Sequence, residues 1–153
     1  MLRAVVDTSV LVSSVIVPRG VPAQVIDAWR ANRFVLVTSP PILLETRRTL
    51  SYPRIRKKYP FSDTSVNHLL ALLEQDAEVT SWEPDVSTAR LRDLNDEMVL
   101  SCALAGQASF VVSSDQDLLT VGTFRDIRIV TPRQFLAWLV EFERDRGGEA
   151  HGP

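Results

Sequence analysis

Cysteine is almost absent from this sequence. Cys102 stands alone among 153 residues, which excludes an intrachain disulfide and suits a reducing compartment. Histidine is nearly as scarce: His68 and His151 lie far from each other and from any cysteine or acid motif, so a zinc site has no ligand set. The six glycines form neither a dinucleotide-binding loop nor a P-loop. Gly-x-Ser-x-Gly is missing and no histidine has a useful context, which removes a nucleophilic serine triad. No run approaches the roughly 20 apolar residues that span a bilayer, and the apolar start is interrupted by Asp7, unlike a signal peptide. These absences predict a soluble cytoplasmic protein.

Hydrophobic residues make up 45% and charged residues 24%, an ordinary balance that supports one domain with a substantial core. The expected domain covers residues 1–143. The segment 144–153 has almost nothing to bury and is expected to be a disordered tail. A net charge of −2 carries no global signal for nucleic acid, but its distribution does. Between Arg47 and Pro60 stand Arg47, Arg48, Arg54, Arg56, Lys57 and Lys58 with no acid among them. Such a strip can attract a phosphate backbone on an otherwise anionic protein; a solvated helix end and loop is the plainer alternative.

Strand and helix patterns alternate along the chain. Residues 2–6, Phe34–Val37, 77–80, Ser109–Val112 and Ile127–Val130 read as strands. Helical patterns begin at Pro22, at Ser39-Pro40 and at Ser62, and span Asn95-Asp96 to Ala105 before Gly106; another begins at Thr131-Pro132. Ile42, Leu43, Leu44 and Leu50 are expected to pack inward from the second of these. Val66, Leu69, Leu70, Leu72 and Leu73 do so from the third, and Phe135, Leu136, Leu139 and Val140 from the last. Trp29, Trp82 and Trp138 are expected in the core or an interface, and Cys102 as a small core residue. The alternation predicts an α/β fold, a three-layer α/β/α sandwich around a mainly parallel sheet of about five strands.

Four carboxylates stand at the ends of these elements: Asp7, Glu45, Asp96 and Asp115. Asp7 and Asp115 follow continuous apolar strands, and ligands of an open parallel sheet bind at the carboxyl ends of its strands. A carboxylate there is costly unless solvated, hydrogen-bonded or bound to metal. Acids converging there repel one another unless a hard cation such as Mg²⁺ or Mn²⁺ neutralises them. The pattern reads as a metal-dependent phosphoryl-transfer site. The alternatives are plain: Asp7 and Asp115 as helix caps, Glu45 on an exposed helix face, Asp96 favoured by the helix dipole.

The chain resembles the PIN-domain nucleases from about Leu2 to Glu143, and among them the toxin components of toxin–antitoxin pairs. Val-Val-Asp7-Thr-Ser-Val-Leu-Val is similar to the family's opening strand and first acid, and Leu44-Glu45 to its second. Asp93-Leu-Asn-Asp96-Glu-Met-Val-Leu-Ser-Cys-Ala103 resembles the acid-led helix that holds the third. Val-Val-Ser113-Ser-Asp115-Gln-Asp117-Leu-Leu resembles the Ser/Thr-x-Asp-x-Asp loop. Leu94 and Met98 depart from the family's frequent proline and basic residue.

The resemblance implies an endoribonuclease that uses Mg²⁺ or Mn²⁺, often dimerises and is inhibited by a cognate antitoxin. In that reading Asp7, Asp96 and Asp115 hold the metal and Glu45 orients or deprotonates water. Ser9, Ser113 and Asp117 orient the ligands, and the basic strip, Arg47 and Arg48 included, positions RNA. Two other readings compete. One is a small-molecule phosphatase with Asp7 as nucleophile, although Ser9 stands where such enzymes place a second acid. The other is a non-catalytic interaction scaffold.

Overall fold

The computed structural model describes residues 1–81 and 94–150. The expectations for Trp82, Pro84 to Asp93 and His151 lie outside the described residues.

Val-rich runs make the central strands. Strand β1 (Arg3–Val6) leads into α1 (Thr8–Ile16) and α2 (Val21–Arg30), the second opened by Gly20 and by Pro22 in its first turn. Strand β2 (Val35–Thr38) feeds α3 (Pro40–Leu50), α4 (Pro53–Lys58) and α5 (Asp63–Asp76). Ser62 caps α5 by accepting the Ser65 N–H at 3.1 Å. After β3 (Glu78–Val79) come α6 (Leu94–Ala105), β4 (Phe110–Val112), α7 (Gln116–Val121), β5 (Thr123–Phe124), β6 (Ile127–Val130) and α8 (Pro132–Ala150). A reciprocal capping box starts α8: Gln134 N–H donates to Thr131 Oγ1 and Thr131 N–H to Gln134 Oε1.

The strands form one sheet in the order β3-β2-β1-β4-β6-β5, parallel except for β5 against β6, with helices flanking it in the expected α/β/α layers. Among the described residues six strands replace the five expected. The extra one, β5, is too short to show a period and is turned by Gly122 at φ 75. The chain leaves β1 toward β2 and returns on its other side as β4, so a topological switch point lies between β1 and β4. Val5 pairs with Val111 and Val6 with Val112. The residues after these two strands are Asp7 and Ser113.

The core spans both faces of β1, β2 and β4, where Ala4, Val5, Leu36, Val37 and Val111 are fully enclosed, as central parallel strands require. A smaller cluster of Val12, Leu50, Val66 and Leu70 joins α1, α3 and α5. On α3 the buried row is Ile42, Thr46 and Leu50; Leu44 is exposed, contrary to expectation, because it lies off that i, i+4, i+8 line. Val140 is exposed on α8 for the same reason, while Phe135 and Leu139 fill the core. Trp29 is buried, whereas Trp138 is half-exposed. Helix α8 continues past Glu143, so 144–150, read as a tail from composition, are helical. Among the described residues no single helix is long and apolar enough to cross a membrane. The α1–α2 pair is apolar enough only when combined, meets at 101° and gives Val10, Leu11, Val25 and Ile26 to the core.

Gly106 ends α6 with its α-carbon hard against Val37, where a methyl group would collide with the Val37 side chain and lie 3.1 Å from Thr80 Cγ2. The Arg3 guanidinium grips the Gly106 carbonyl through two hydrogen bonds of 2.9 and 2.7 Å, which holds that approach fixed. Gly106→Ala is therefore expected to cost about 1–3 kcal/mol by overpacking, measured as a lower urea midpoint.

Candidate active site

Asp7 occupies the first position beyond β1, and its N–H donates to Val112 O at 2.9 Å, so the sheet itself fixes its backbone. It stands at the N-cap of α1 yet makes no side-chain capping hydrogen bond. Its carboxylate is used otherwise. Oδ2 accepts the hydroxyls of Ser9 and Ser113, each at 2.8 Å. Both hydroxyls are aimed by the loop after β4. Ser114 N–H donates to Ser9 Oγ at 3.1 Å, and Asp115 N–H donates to Ser113 Oγ at 2.9 Å. Each serine therefore accepts a backbone proton and passes its own to the same oxygen of Asp7.

The carboxylate so held is 6% exposed, and Ser113 is fully buried. Burial pushes the Asp7 carboxyl above the ordinary aspartate range, and the negative charge of Asp115 adds to the rise. The Ser9 and Ser113 hydroxyls and the Thr8 amide oppose it only in part. Asp115, partly exposed, caps α7 by accepting the Asp117 N–H at 3.0 Å. The capping role considered for it is real, and it leaves the residue within electrostatic reach of Asp7. Asp117 is exposed.

Asp96 is 2% exposed in the first turn of α6, a helix packed on β1 and β4. Glu45 is partly buried on α3, with Oε2 3.9 Å from Arg48 Nη1. Its neighbour Thr46 points to α1, Oγ1 lying 3.4 Å from Thr8 Oγ1. That contact turns α3 toward the segment bearing Asp7, and its long-range pairing left no mark in the local pattern. Among the described residues no three histidine, cysteine, aspartate or glutamate side chains gather into a ready-made metal cage. The donors present are nonetheless all hard oxygens, and two of the acids repel each other in a partly dry setting. This fits a small divalent cation, which takes few protein carboxylates and keeps much of its water.

A family model of the PIN domain matches residues 3–117, three quarters of the chain and all four carboxylates. The chain belongs to the PIN-domain family. These domains are generally nucleases and generally use divalent metals. An uncharacterised protein of Methanocaldococcus jannaschii, MJ1680, is 25% identical over 94% of this chain and 93% of its own length. In fold, the chain is similar to PAE2754 from Pyrobaculum aerophilum (TM-score 0.60, 16% identity, covering 92% of this chain and 90% of that one). It is also similar to VapBC2 from Rickettsia felis, bound to a DNA fragment from their promoter (TM-score 0.56, 11% identity, covering 84% and 97%).

The PIN domain's basic strip is more ordered than its composition suggested. Pro53 sits in the first turn of α4, where its missing N–H is harmless. Arg47, Arg48, Arg54, Lys57 and Lys58 are exposed. Arg56 is committed: Nε donates to Leu50 O at 3.0 Å, Nη2 pairs with Asp63, and the guanidinium lies 5.0 Å from the Phe61 ring centroid. Cys102 is buried as expected, and burial lifts its thiol to about 11, with Thr80 and Ser39 opposing the rise. A thiol so shielded is inert.

Proposed function

We propose that this PIN domain is a divalent-metal-dependent endoribonuclease that cleaves RNA phosphodiester bonds, and that it is the toxin of a toxin–antitoxin pair. The observation that carries the reading is the buried Asp7 carboxylate at the β1/β4 switch point, held by two oriented serines beside Asp115. Asp7, Asp96 and Asp115 are the residues that would hold Mg²⁺ or Mn²⁺, directly or through water. When bound, the cation supplies Lewis-acid polarisation of the phosphodiester and offsets charge building in the transition state.

The chain's own groups do the remainder. Glu45 orients the attacking water or takes its proton, with Arg48 holding the carboxylate toward solvent. Ser9 and Ser113 keep Asp7 in one orientation, and the Asp117 amide does the same for Asp115. Arg47, Arg48, Arg54, Lys57 and Lys58 position the phosphate backbone without reading its sequence. Arg56 orders the strip from beneath. Against the phosphatase reading, Oδ2 of Asp7 already accepts two hydroxyls, and Ser9 stands where such an enzyme places its second acid. The fold likeness to VapBC2 supports an antitoxin partner; a homodimer is the expected assembly.

The test is incubation of pure protein with a mixed RNA pool in EDTA, Mg²⁺ or Mn²⁺. Cleavage that needs metal is expected. A folded, inhibitor-free protein that cuts nothing under any of these conditions would leave the scaffold reading standing. Ser113→Ala is expected to weaken Mn²⁺ affinity or activity about 10- to 100-fold, as loss of a ligand-orienting partner does. An unchanged Mn²⁺ titration would remove Ser113 from the site.

A further inference from the structure

We infer that Tyr52, within the basic strip, is a stacking platform for an unpaired base of the substrate; the inference rests on the nuclease reading above. Tyr52 is 45% exposed at the junction of α3 and α4. Its backbone serves the fold: the N–H donates to Thr49 O at 3.2 Å and the carbonyl accepts from Arg56 N–H at 3.0 Å. Its side chain makes no capping bond for α4.

Three aromatic residues stand in this stretch, and the strip's own cations cover two of them. Lys58 Nζ lies 5.4 Å from the Tyr59 ring centroid, and Arg56 lies over Phe61. Among the described residues no cation or second ring lies over Tyr52. Along the chain this exposed residue falls between the exposed Arg47 and Arg48 of α3 and the exposed Arg54, Lys57 and Lys58 of α4. An open ring among cations is what a single strand needs, because its bases stack while its phosphates are neutralised.

Tyr52 stands just past the C-terminal end of α3, the helix that carries Glu45. Arg48, within 3.9 Å of Glu45, lies between them. A paired helix shows no free base face to the ring, so the platform selects unpaired RNA.

The test uses an ethenoadenosine-labelled single-stranded RNA and Asp7→Asn protein in EDTA, so that binding is read without cleavage. Tyr52→Ala should abolish the change in label fluorescence and weaken binding about 5- to 100-fold. Tyr52→Phe and Tyr52→Trp should keep both. In the active protein, Tyr52→Ala should raise KM and leave kcat in place. Wild-type cleavage with unaltered binding by Tyr52→Ala overturns the stacking role alone, as does an equal loss in Tyr52→Phe, which would assign the contact to the hydroxyl. If wild type neither binds nor cuts RNA, the underlying nuclease reading falls and takes this inference with it.

Discussion

Asp7→Asn is expected to lower RNA cleavage by on the order of a thousandfold, about 4 kcal/mol of transition-state stabilisation, while the protein stays folded and melts no lower than wild type. The two halves have one cause. Asp7 is buried beside another carboxylate, and its carboxyl is raised mainly by desolvation. The folded chain therefore binds that proton more tightly than the unfolded chain does. In metal-free protein the resulting stability is fully present below the ordinary aspartate range and is lost as pH rises through the raised folded value. Asparagine cannot titrate, and its amide oxygen can still accept from Ser9 and Ser113. Melting in EDTA across the acid range should show wild type losing ground to the variant as pH rises. Adding Mn²⁺ should raise the melting temperature of wild type and not of the variant. Equal cleavage by the two proteins would remove Asp7 from the mechanism. Unfolding of the variant would refute the account of Asp7 as a residue kept at a cost to stability.

The largest effect on stability is expected from Phe135→Ala, at about 3–5 kcal/mol, a large part of the 5–15 kcal/mol typical of a whole domain. Phe135 is fully buried, with its ring edge-on to Phe34 at 4.8 Å and to Phe110 at 5.6 Å. Truncation opens a cavity beside the Phe34 and Phe110 rings and forfeits both contacts, each worth about 0.5–1.5 kcal/mol beyond area. It also loosens α8, which Leu139 in the core and the bidentate Arg33–Glu143 pair on the surface still hold. The urea midpoint should fall without a change in slope. Activity of the remaining folded protein should be unchanged, because Phe110 begins β4 and the carboxylates lie at its other end. A loss below about 1 kcal/mol would show that α8 is not integral to the core. That matters because α8 lies beyond the span matched by the family.

Much of this architecture was legible in the residues. Continuous apolar runs marked β1, β2 and β4, since doubly covered parallel strands tolerate them. Asp7 directly after β1 and Asp115 three residues after β4 marked the carboxyl edge. What escaped were features decided at long range. Ser9 and Ser113 share one oxygen of Asp7 only because β1 and β4 are neighbours. Arg56 looked like one more cation of the strip, yet Leu50, Asp63 and Phe61 claim it from three directions. Leu44 and Val140 were read inward because an apolar side chain alone does not say which face of a helix the core will cover. Strand β5 has two residues, too few to show any period.

The two outermost strands bear on how copies of this protein can meet. Among the described residues β3 and β5 are each two residues long, so each outermost strand offers only a short ladder of amides and carbonyls. Such edges give a neighbouring chain little to zip onto, and they blunt the templating by which open strands seed fibrils. A partner copy finds little edge on which to extend the sheet, and helical surfaces are the larger ones open to it. Assembly of that kind keeps the hydrogen-bonded interior of each subunit independent, so that either copy can fold before the two associate.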